Sequence, residues 1–259
     1  MKIEPQTNPH KQKVLQREYM DDVFKKRFKN GSRSPFPDSL MGNFVDYYSL
    51  KKAISMLPFS VKGMKVLSIC CGDGEEGEYL YKLGADVTVS DYSPEAVKAS
   101  MRRCKHLKGV VADAENLPFK DKSFDLVLVR HGLHHIPHPY KGLSEMNRIS
   151  KKGFVFIEAQ RNFITKILIK LKLAEEYEDS GNFVYRFTQD EIKQFMDKNK
   201  IKKYEISTFW VYHFEFLTQK VYPHINNKFV FAIFLVLFHI LNFLFGYFGN
   251  SLVVIALKD

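Results

Sequence analysis

Residues 68–80 read SICCGDGEEGEYL and contain the glycine spacing Gly72-x-Gly74-x-x-Gly77. Glycines spaced in this way make a tight turn from a strand into a helix, where the backbone can approach a bound group closely. The spacing is typical of dinucleotide sites, but on its own it is weak evidence. The charges after the turn, and the residues that end the following strands, indicate whether the ligand of this turn carries a phosphate.

From Lys65 onward, short runs rich in β-branched residues alternate with helical stretches. The runs are KVLSIC, DVTVS, GVVA, FDLVLV and GFVFIE, at residues 65–70, 86–90, 109–112, 124–129 and 153–158. Strands that alternate with helices predict an α/β fold with a doubly wound, mostly parallel sheet. Ligands of such a sheet bind beyond the carboxyl ends of the strands, so we expect the chemistry in the loops after these runs.

The length of the chain indicates one domain with additions. It has 259 residues, of which 45% are hydrophobic, which is enough for one sizeable core and too few for two full domains. Residues 1–60 lack strand-like runs and predict an N-terminal helical cap. Residues 61–259 predict the main domain, with insertions at about 160–185 and 214–250 that cover the substrate.

Charge and cysteine content limit the partners and the compartment. The net charge of +10 predicts an anionic partner such as an acidic membrane surface, a phosphorylated substrate or nucleic acid. The first residues contain no apolar segment typical of a signal peptide, and the three cysteines lack the spacing of a disulfide framework or zinc site. We therefore expect a cytoplasmic protein.

Two carboxylates begin the helix that follows the glycine turn. In a dinucleotide site the pyrophosphate lies at this helix N-terminus, where the helix dipole favours negative charge. Glu75 and Glu76 already place negative charge there and would repel a pyrophosphate, whereas the cationic sulfonium of S-adenosylmethionine meets no such repulsion. Asp91 ends the second run, where a carboxylate can accept both hydroxyls of a ribose. Asp113 follows the third run and can accept the amino group of an adenine.

Four segments then follow one another in a recognisable order: VLSICCGDG, VTVSDYS, VVADAENLPFKDKSFDLVLVRHGLHHI and FTQDEIKQFM. Together they resemble the successive motifs of the Rossmann-like, class I S-adenosylmethionine-dependent methyltransferases, in the branch that includes the quinone-biosynthesis and small-molecule enzymes. NSLVVIALK, at residues 250–258, is similar to the last, antiparallel strand of that fold. The resemblance implies a sheet of seven strands with the last one antiparallel, and S-adenosylmethionine as the cofactor.

The resemblance also implies which residues hold the cofactor. By it, Cys70, Gly72 and Gly74 approach the methionine part, Asp91 the ribose, Tyr92, Asp113 and Ala114 the adenine, and the backbone of Arg130 the amino group. The family usually has an acidic residue where this chain has Ser68, and a glycine where it has Cys70. Ser68 can hydrogen-bond a water or the cofactor's amino group but cannot neutralise its charge. We therefore expect Ser68 to change the affinity for the cofactor and not its identity.

The stretch RHGLHHIPHP, residues 130–139, supplies several histidines after the fourth strand. Methyl transfer needs an aligned acceptor and, for a hydroxyl or ammonium acceptor, a base that takes its proton. By analogy with the family's LHH motif, His134 is the first candidate for this base, with His131 and His135 as alternatives. His135 can equally be a packed ring that donates to a backbone carbonyl.

A metal site is the competing interpretation of these histidines. His131 and His135 lie four residues apart, a spacing that binds metal on a helix, but the prolines of IPHP disfavour a long helix at this place. No cysteine or obvious carboxylate completes a ligand set nearby. We therefore predict no bound metal.

Charged residues after the fifth strand are candidates for contact with the methyl acceptor. They are Glu158, Arg161 and Arg186. The arginines can bind a phosphate or carboxylate of the acceptor, or they can form surface ion pairs with nearby acidic side chains. We predict O- or N-methylation of a small-molecule or lipid-linked acceptor that is anionic. The alternatives are an RNA methyltransferase, for which no recognisable RNA-binding module is present, and a non-catalytic protein that binds S-adenosylmethionine.

Residues 228–249, KFVFAIFLVLFHILNFLFGYFG, approach a transmembrane helix in length and apolarity. A single crossing would place the last strand on the wrong side of the membrane, so we expect no simple span. His239, Asn242 and Gly246 form one narrow stripe at helical spacing, which suits burial against protein or shallow insertion into a bilayer. FITKILIKLKL, at residues 163–173, places lysines beside an apolar face. We predict a peripheral association with the anionic inner face of a membrane, with a hydrophobic lid packed on the core or on a partner subunit as the alternative.

Overall fold

The computed structural model describes residues 8–29, 39–172, 174–177, 180–211 and 225–258. Helices and strands alternate along most of this part of the chain. The helices are α1 Pro9–Lys29, α2 Leu40–Ser55, α3 Glu75–Lys82, α4 Pro94–Arg103, α5 Pro139–Ile149, α6 Phe163–Lys170, α7 Gln189–Lys198 and α8 Lys228–Phe245. The strands are β1 Lys65–Ile69, β2 Asp86–Asp91, β3 Lys108–Val111, β4 Phe124–Arg130, β5 Ser150–Ala159, β6 Lys203–Phe209 and β7 Ser251–Leu257.

The seven strands form one sheet in the order β3-β2-β1-β4-β5-β7-β6. β7 runs antiparallel to both of its neighbours, β5 and β6, and the remaining neighbouring pairs are parallel. The predicted Rossmann-like fold with an antiparallel last strand is confirmed. The apolar runs located β1 to β5 and the resemblance located β7, whereas β6 was not predicted: its sequence KYEISTF has few apolar residues, and only its last residue, Phe209, is buried.

Both faces of the sheet are covered by helices. On one face Val66 and Leu128 pack in a cluster with residues of α2 and α3. On the other face Leu67 and Val127, their neighbours along the strands, pack in a cluster with residues of α5 and α7. Because successive strand residues point to opposite faces and both faces are buried, the strands read as nearly continuous apolar runs.

The described part of the predicted N-terminal cap is helical. α1 packs against α4, where Phe24 meets Ala96 and Ala99. α2 begins where the Ser39 side chain accepts a hydrogen bond from the backbone N–H of Gly42. Residues 30–38, between α1 and α2, lie outside the described residues, as do residues 214–224 of the second predicted insertion.

The helices of the two predicted insertions lie at the carboxyl edge of the parallel strands. α6 follows the end of β5, and α8 joins the end of β6 to the start of β7. The Asn162 amide at the start of α6 donates to the carbonyls of Phe248 and Gly249 at 2.9 and 2.8 Å, which joins the start of α6 to the turn that follows α8. The glycine turn after β1 lies at this same edge, and the fold therefore brings α6, α8 and the turn to one side of the molecule.

Candidate active site

A cavity of about 230 Å³ lies at the carboxyl ends of β1, β2 and β4, and α1 covers it. Most of the predicted cofactor residues and two of the predicted histidines line it: Cys70, Gly72, Asp91, Tyr92, Asp113, Ala114, Arg130, His131 and His135. The other predicted site residues lie outside this lining: Ser68, Gly74, His134, Glu158, Arg161 and Arg186.

Gly74 shapes the turn without lining the cavity. It has a φ of 81°, in the left-handed region that favours glycine, and it begins α3. A Cβ at Gly74 would lie 2.5 Å from the Cβ of Ser100, so a side chain there would collide with α4. The glycine spacing found in the sequence therefore allows close packing of two helices beside the cofactor cavity.

Cys70 takes a backbone conformation that explains why the family usually has glycine there. Its φ is 49°, and the left-handed region costs a non-glycine residue about 1–2 kcal/mol. The loop after β1 abuts the loop after β4, since a Cβ on Gly132 would lie 2.3 Å from the Cβ of Cys70. Burial raises the pKa of the Cys70 thiol well above its ordinary value, and the charge of Asp91 raises it further. The thiol is therefore protonated at neutral pH.

Asp91 fits the predicted role of a ribose ligand. One carboxylate oxygen accepts the backbone N–H of Gly72 at 3.0 Å, and the other accepts that of Ser93 at 2.9 Å. A carboxylate has about four acceptor positions, so two remain for hydroxyl groups in the cavity. Burial raises the pKa of Asp91, while the two backbone hydrogen bonds oppose that change.

Asp113 also has acceptor capacity for a ligand, but it meets a partner that the sequence did not reveal. Its Oδ1 accepts the backbone N–H of Glu115 at 2.9 Å. Its Oδ2 lies 2.6 Å from the Nζ of Lys13 on α1, and the same Nζ lies 3.0 Å from the Glu115 carboxylate. α1 is therefore held across the end of the cavity where the resemblance places the adenine.

α1 makes a second polar contact with the site. The Gln16 amide nitrogen lies 3.1 Å from Nδ1 of His135, and the Gln16 carbonyl oxygen accepts the side chain of Asn182 at 2.7 Å. Met20 and Phe24, one and two helical turns further along, also line the cavity. None of these α1 residues was predicted as part of the site.

Arg130 holds the two carboxylates at the start of α3. Its guanidinium lies 2.7 Å from the Glu75 carboxylate and also hydrogen-bonds Glu76. Arg103 adds positive charge to this group, with one guanidinium nitrogen 3.9 Å from Glu75. The sequence treated the carboxylates as unopposed negative charge, whereas the structure pairs them and gives the Arg130 side chain a role beyond the predicted backbone contact.

His134 is oriented by a buried carboxylate. Its Nδ1 lies 2.6 Å from Oε2 of Glu158, which has no exposed surface. Oε1 of Glu158 accepts the backbone N–H groups of Gly132 and Leu133 at 2.9 and 2.7 Å. Glu158 therefore positions His134 and its loop. Glu158 was predicted from the sequence to contact the methyl acceptor, and its carboxylate is instead turned inward. The His134 ring packs on the ring of His135, which lines the cavity, with ring centres 4.1 Å apart.

The two predicted substrate arginines are engaged elsewhere. Arg161 lies 2.6 Å from the Glu191 carboxylate, and Arg186 donates to the backbone carbonyl of Glu175. Ser68 is buried, and its hydroxyl has no hydrogen-bond partner among the described residues. No three histidine, cysteine or carboxylate side chains are grouped to hold a metal ion in the described part of the chain.

Comparison with known proteins gives the class. A sequence profile described as a methyltransferase domain matches residues 67–157. A demethylmenaquinone methyltransferase of Staphylococcus haemolyticus is 32% identical over 172 residues, which cover 57% of this chain and 72% of that protein. One from Paenarthrobacter aurescens is 30% identical over 158 residues, 57% of this chain and 62% of that protein. The chain thus spans a little under two thirds of the second relative.

A solved structure agrees with the fold. The magnesium protoporphyrin IX methyltransferase of Synechocystis, with S-adenosylhomocysteine bound, has a TM-score of 0.61 at 14% identity and covers 95% of this chain and 100% of its own. The fold and the carboxylate-lined cavity define a Rossmann-like protein with a nucleoside cofactor. The chain belongs to the S-adenosylmethionine-dependent methyltransferases, in the branch that contains the demethylmenaquinone methyltransferases.

Proposed function

We propose that the protein transfers a methyl group from S-adenosylmethionine to a quinone-type small molecule. The observation that carries this proposal is the His134–Glu158 pair beside a cavity lined by Asp91 and Asp113. Asp91 would hold the ribose and Asp113 the adenine, since both carboxylates keep acceptor positions. When bound, S-adenosylmethionine supplies a methyl carbon on a sulfonium, whose sulfur keeps the electron pair of the breaking C–S bond.

His134 acts as the base that removes a proton from the acceptor. An ionised carboxylate can only accept hydrogen bonds, so Nδ1 of neutral His134 donates to Glu158 and Nε2 keeps its lone pair. With the acceptor in its quinol form, a hydroxyl proton passes to Nε2 and the deprotonated acceptor forms the new bond to the methyl carbon; the imidazolium that forms lies beside the Glu158 carboxylate. His135 is a weaker candidate because its Nδ1 accepts from the Gln16 amide nitrogen, which leaves the proton of the neutral ring on Nε2. His131 lines the cavity and is the alternative base.

The acceptor in this proposal is apolar and lipid-linked, as a quinone with a lipid tail would be. An anionic acceptor has no support from Arg161 and Arg186, because both guanidinium groups bind elsewhere in the protein. An RNA acceptor has only the net charge of +10 in its favour. Since a lipid-linked quinone resides in a bilayer, we propose that the protein works from the cytoplasm at the inner face of the membrane.

The experiment that tests the function incubates the protein with methyl-labelled S-adenosylmethionine and an extract of the source cells. The extract is then separated into lipid, soluble-metabolite and RNA fractions. We expect label in the lipid fraction, and the His134→Ala variant should remove most of it while S-adenosylhomocysteine still binds. Label that enters RNA or soluble metabolites alone would contradict the proposed acceptor.

A further inference from the structure

The helices α6 and α8 expose a large apolar surface. We call it the α6–α8 face and define it by its most exposed members, Phe163 and Leu171 beside Phe229, Val236, Phe243 and Tyr247. Phe243 is 89% exposed and Phe163 is 73% exposed. Few soluble proteins leave so many large apolar side chains of two neighbouring segments in water, so such a surface marks a contact site.

α8 departs from the pattern of a helix on a water-exposed surface, because it exposes large apolar side chains in addition to those it buries. Of its polar residues, His239 is exposed, whereas Asn242 points inward, where it accepts the backbone N–H of Trp210 at 2.7 Å and donates to the Phe238 carbonyl at 3.1 Å. Phe238 is buried against Phe44 and Tyr48 of α2. A helix at a water interface buries its apolar stripe and exposes polar residues. α8 buries a narrow stripe and exposes apolar residues on its other faces.

The charges around the face favour an anionic lipid surface over an apolar protein partner. Neither α6 nor α8 contains an acidic residue. Lys166, Lys170 and Lys172 are exposed beside the apolar residues of α6, and Lys228 is exposed at the start of α8. Lysines that flank an apolar helix surface contact lipid phosphates while the apolar side chains enter the acyl region.

The topology makes α8 lie along a bilayer, although its length would allow it to cross one. α8 has 18 residues. Together with the turn after it, the helix is long and apolar enough to span a membrane, and only 11% of this apolar stretch is buried. However, Ser251 of β7, which follows α8, pairs with Ala159 of β5 and with Phe209 of β6, which precedes α8. Because both ends of α8 join the same sheet, the helix cannot cross a membrane without removing β7 from the sheet.

We propose that the α6–α8 face inserts into the surface of an anionic bilayer. α8 lies in the plane of the membrane over about 27 Å, with its exposed apolar side chains in the outer acyl region. The cofactor cavity lies at the same edge of the sheet, so this orientation turns the active-site edge towards the bilayer. The inference deepens the proposed function by naming the surface through which the protein reaches a lipid-linked acceptor.

Flotation of the full-length protein with vesicles tests the proposal. Zwitterionic vesicles of phosphatidylcholine are compared with vesicles in which part of this lipid is replaced by phosphatidylglycerol. We expect flotation with the anionic vesicles that falls as salt is raised, because each lysine near the surface contributes about fivefold in affinity at low salt. Phe243→Glu should weaken binding by at least about tenfold, since it removes a large buried apolar side chain and adds a charge.

Two matched controls separate the face from general effects. Met101→Glu makes the same kind of change on α4, outside the face, and should leave flotation unaltered. Lys166→Glu with Lys170→Glu should reduce flotation. Lys151→Glu with Lys202→Glu makes the same charge change away from the α6–α8 face, in a lysine-rich cleft at the amino end of β6. This second pair of substitutions should reduce flotation much less.

Three results would overturn the inference. One is a protein that stays unbound with both kinds of vesicle, and another is flotation that Phe243→Glu does not change. A third is a dimer in solution that Phe243→Glu dissociates, which would make the face an interface between two copies. Methyl transfer to a short-tailed, water-soluble quinol without vesicles tests the function separately: wild type and Phe243→Glu should be equally active there, whatever the vesicles show.

Discussion

The ammonium group of Lys13 lies 2.6 Å from the carboxylate of Asp113, and this contact ties the N-terminal helix to the far side of the cofactor cavity. Both side chains are partly exposed. We therefore expect this ion pair to open when S-adenosylmethionine enters or leaves the cavity.

Lys13→Ala is expected to accelerate the dissociation of S-adenosylhomocysteine by about fivefold, since a partly exposed ion pair contributes about 1 kcal/mol. Stopped-flow displacement measures this rate. Lys26→Ala removes a fully surface-exposed pair with Asp22 on the same helix and serves as the control. An unchanged dissociation rate in Lys13→Ala would show that α1 does not close the cavity.

Asp91→Ala is expected to weaken binding of S-adenosylhomocysteine by about 1.5–3 kcal/mol, because the ribose hydroxyls lose a charged acceptor. Calorimetry measures the affinity. Asp86→Ala, at the other end of the same strand, removes a carboxylate that pairs with Lys108 on the surface and should leave the affinity unaltered. NADH that binds more tightly than S-adenosylhomocysteine would contradict the assigned cofactor.

Glu158→Gln is expected to lower the rate of methyl transfer by about a hundredfold, with cofactor affinity little changed. The amide oxygen would still accept from the backbone of Gly132 and Leu133, so its NH₂ group would donate to Nδ1 of His134. That hydrogen bond favours the tautomer with a proton on Nε2, which cannot act as a base.

The pH profile distinguishes this positioning role of Glu158 from a purely structural one. In the wild type the rate should fall at acid pH as His134 takes up a proton. In Glu158→Gln this acid limb should disappear, because the residual reaction does not use His134. A variant that is slower at every pH but keeps the wild-type profile would show that Glu158 only supports the fold.

Arg130→Met is expected to destabilise the protein by about 3 kcal/mol at neutral pH, because it leaves Glu75 and Glu76 buried without their main cation. Denaturant unfolding measures the loss. Lys108→Met breaks the exposed pair with Asp86 and should cost less than about 1 kcal/mol.

The loss in Arg130→Met should depend on pH in one direction. Burial raises the pKa of Glu76, and the charge of Arg130 opposes that rise, so the variant's pKa is higher still. A carboxyl with a raised folded-state pKa binds protons more readily in the folded protein than in the unfolded one. The deficit relative to wild type should therefore shrink as pH falls through the folded pKa. An equal deficit at neutral and mildly acidic pH would rule out this cause.

The fold was predictable because each buried strand reads as an apolar run, and because Gly74 marks the turn into α3. β6 escaped that test, since only its last residue, Phe209, is buried and the rest of KYEISTF is mostly polar. The carboxylates Asp91 and Asp113 were predictable from their places at strand ends. Long-range pairs were not: Lys13 lies 100 residues from Asp113, and no periodic apolar stripe on α1 signals which elements it covers.

The pairing of Arg130 with Glu75 and Glu76 was predictable from the order of the elements in the sequence. Arg130 ends β4, the neighbour of β1 in the sheet, and two acids begin the helix that follows β1. Carboxyl ends of adjacent parallel strands meet at one edge, so an arginine and two glutamates at these places are expected to pair. The inward turn of Glu158, by contrast, depends on the path of the loop after β4, where His131 has a positive φ of 51°.

The most direct measurement of the central claim is transfer of labelled methyl from S-adenosylmethionine to demethylmenaquinone in its quinol form, held in anionic vesicles. Wild-type protein is expected to place label in the extracted lipid, and Asp91→Ala and His134→Ala are expected to transfer far less at the same concentrations. A wild-type protein that binds S-adenosylhomocysteine and the vesicles yet leaves the quinol unlabelled would contradict the assigned acceptor.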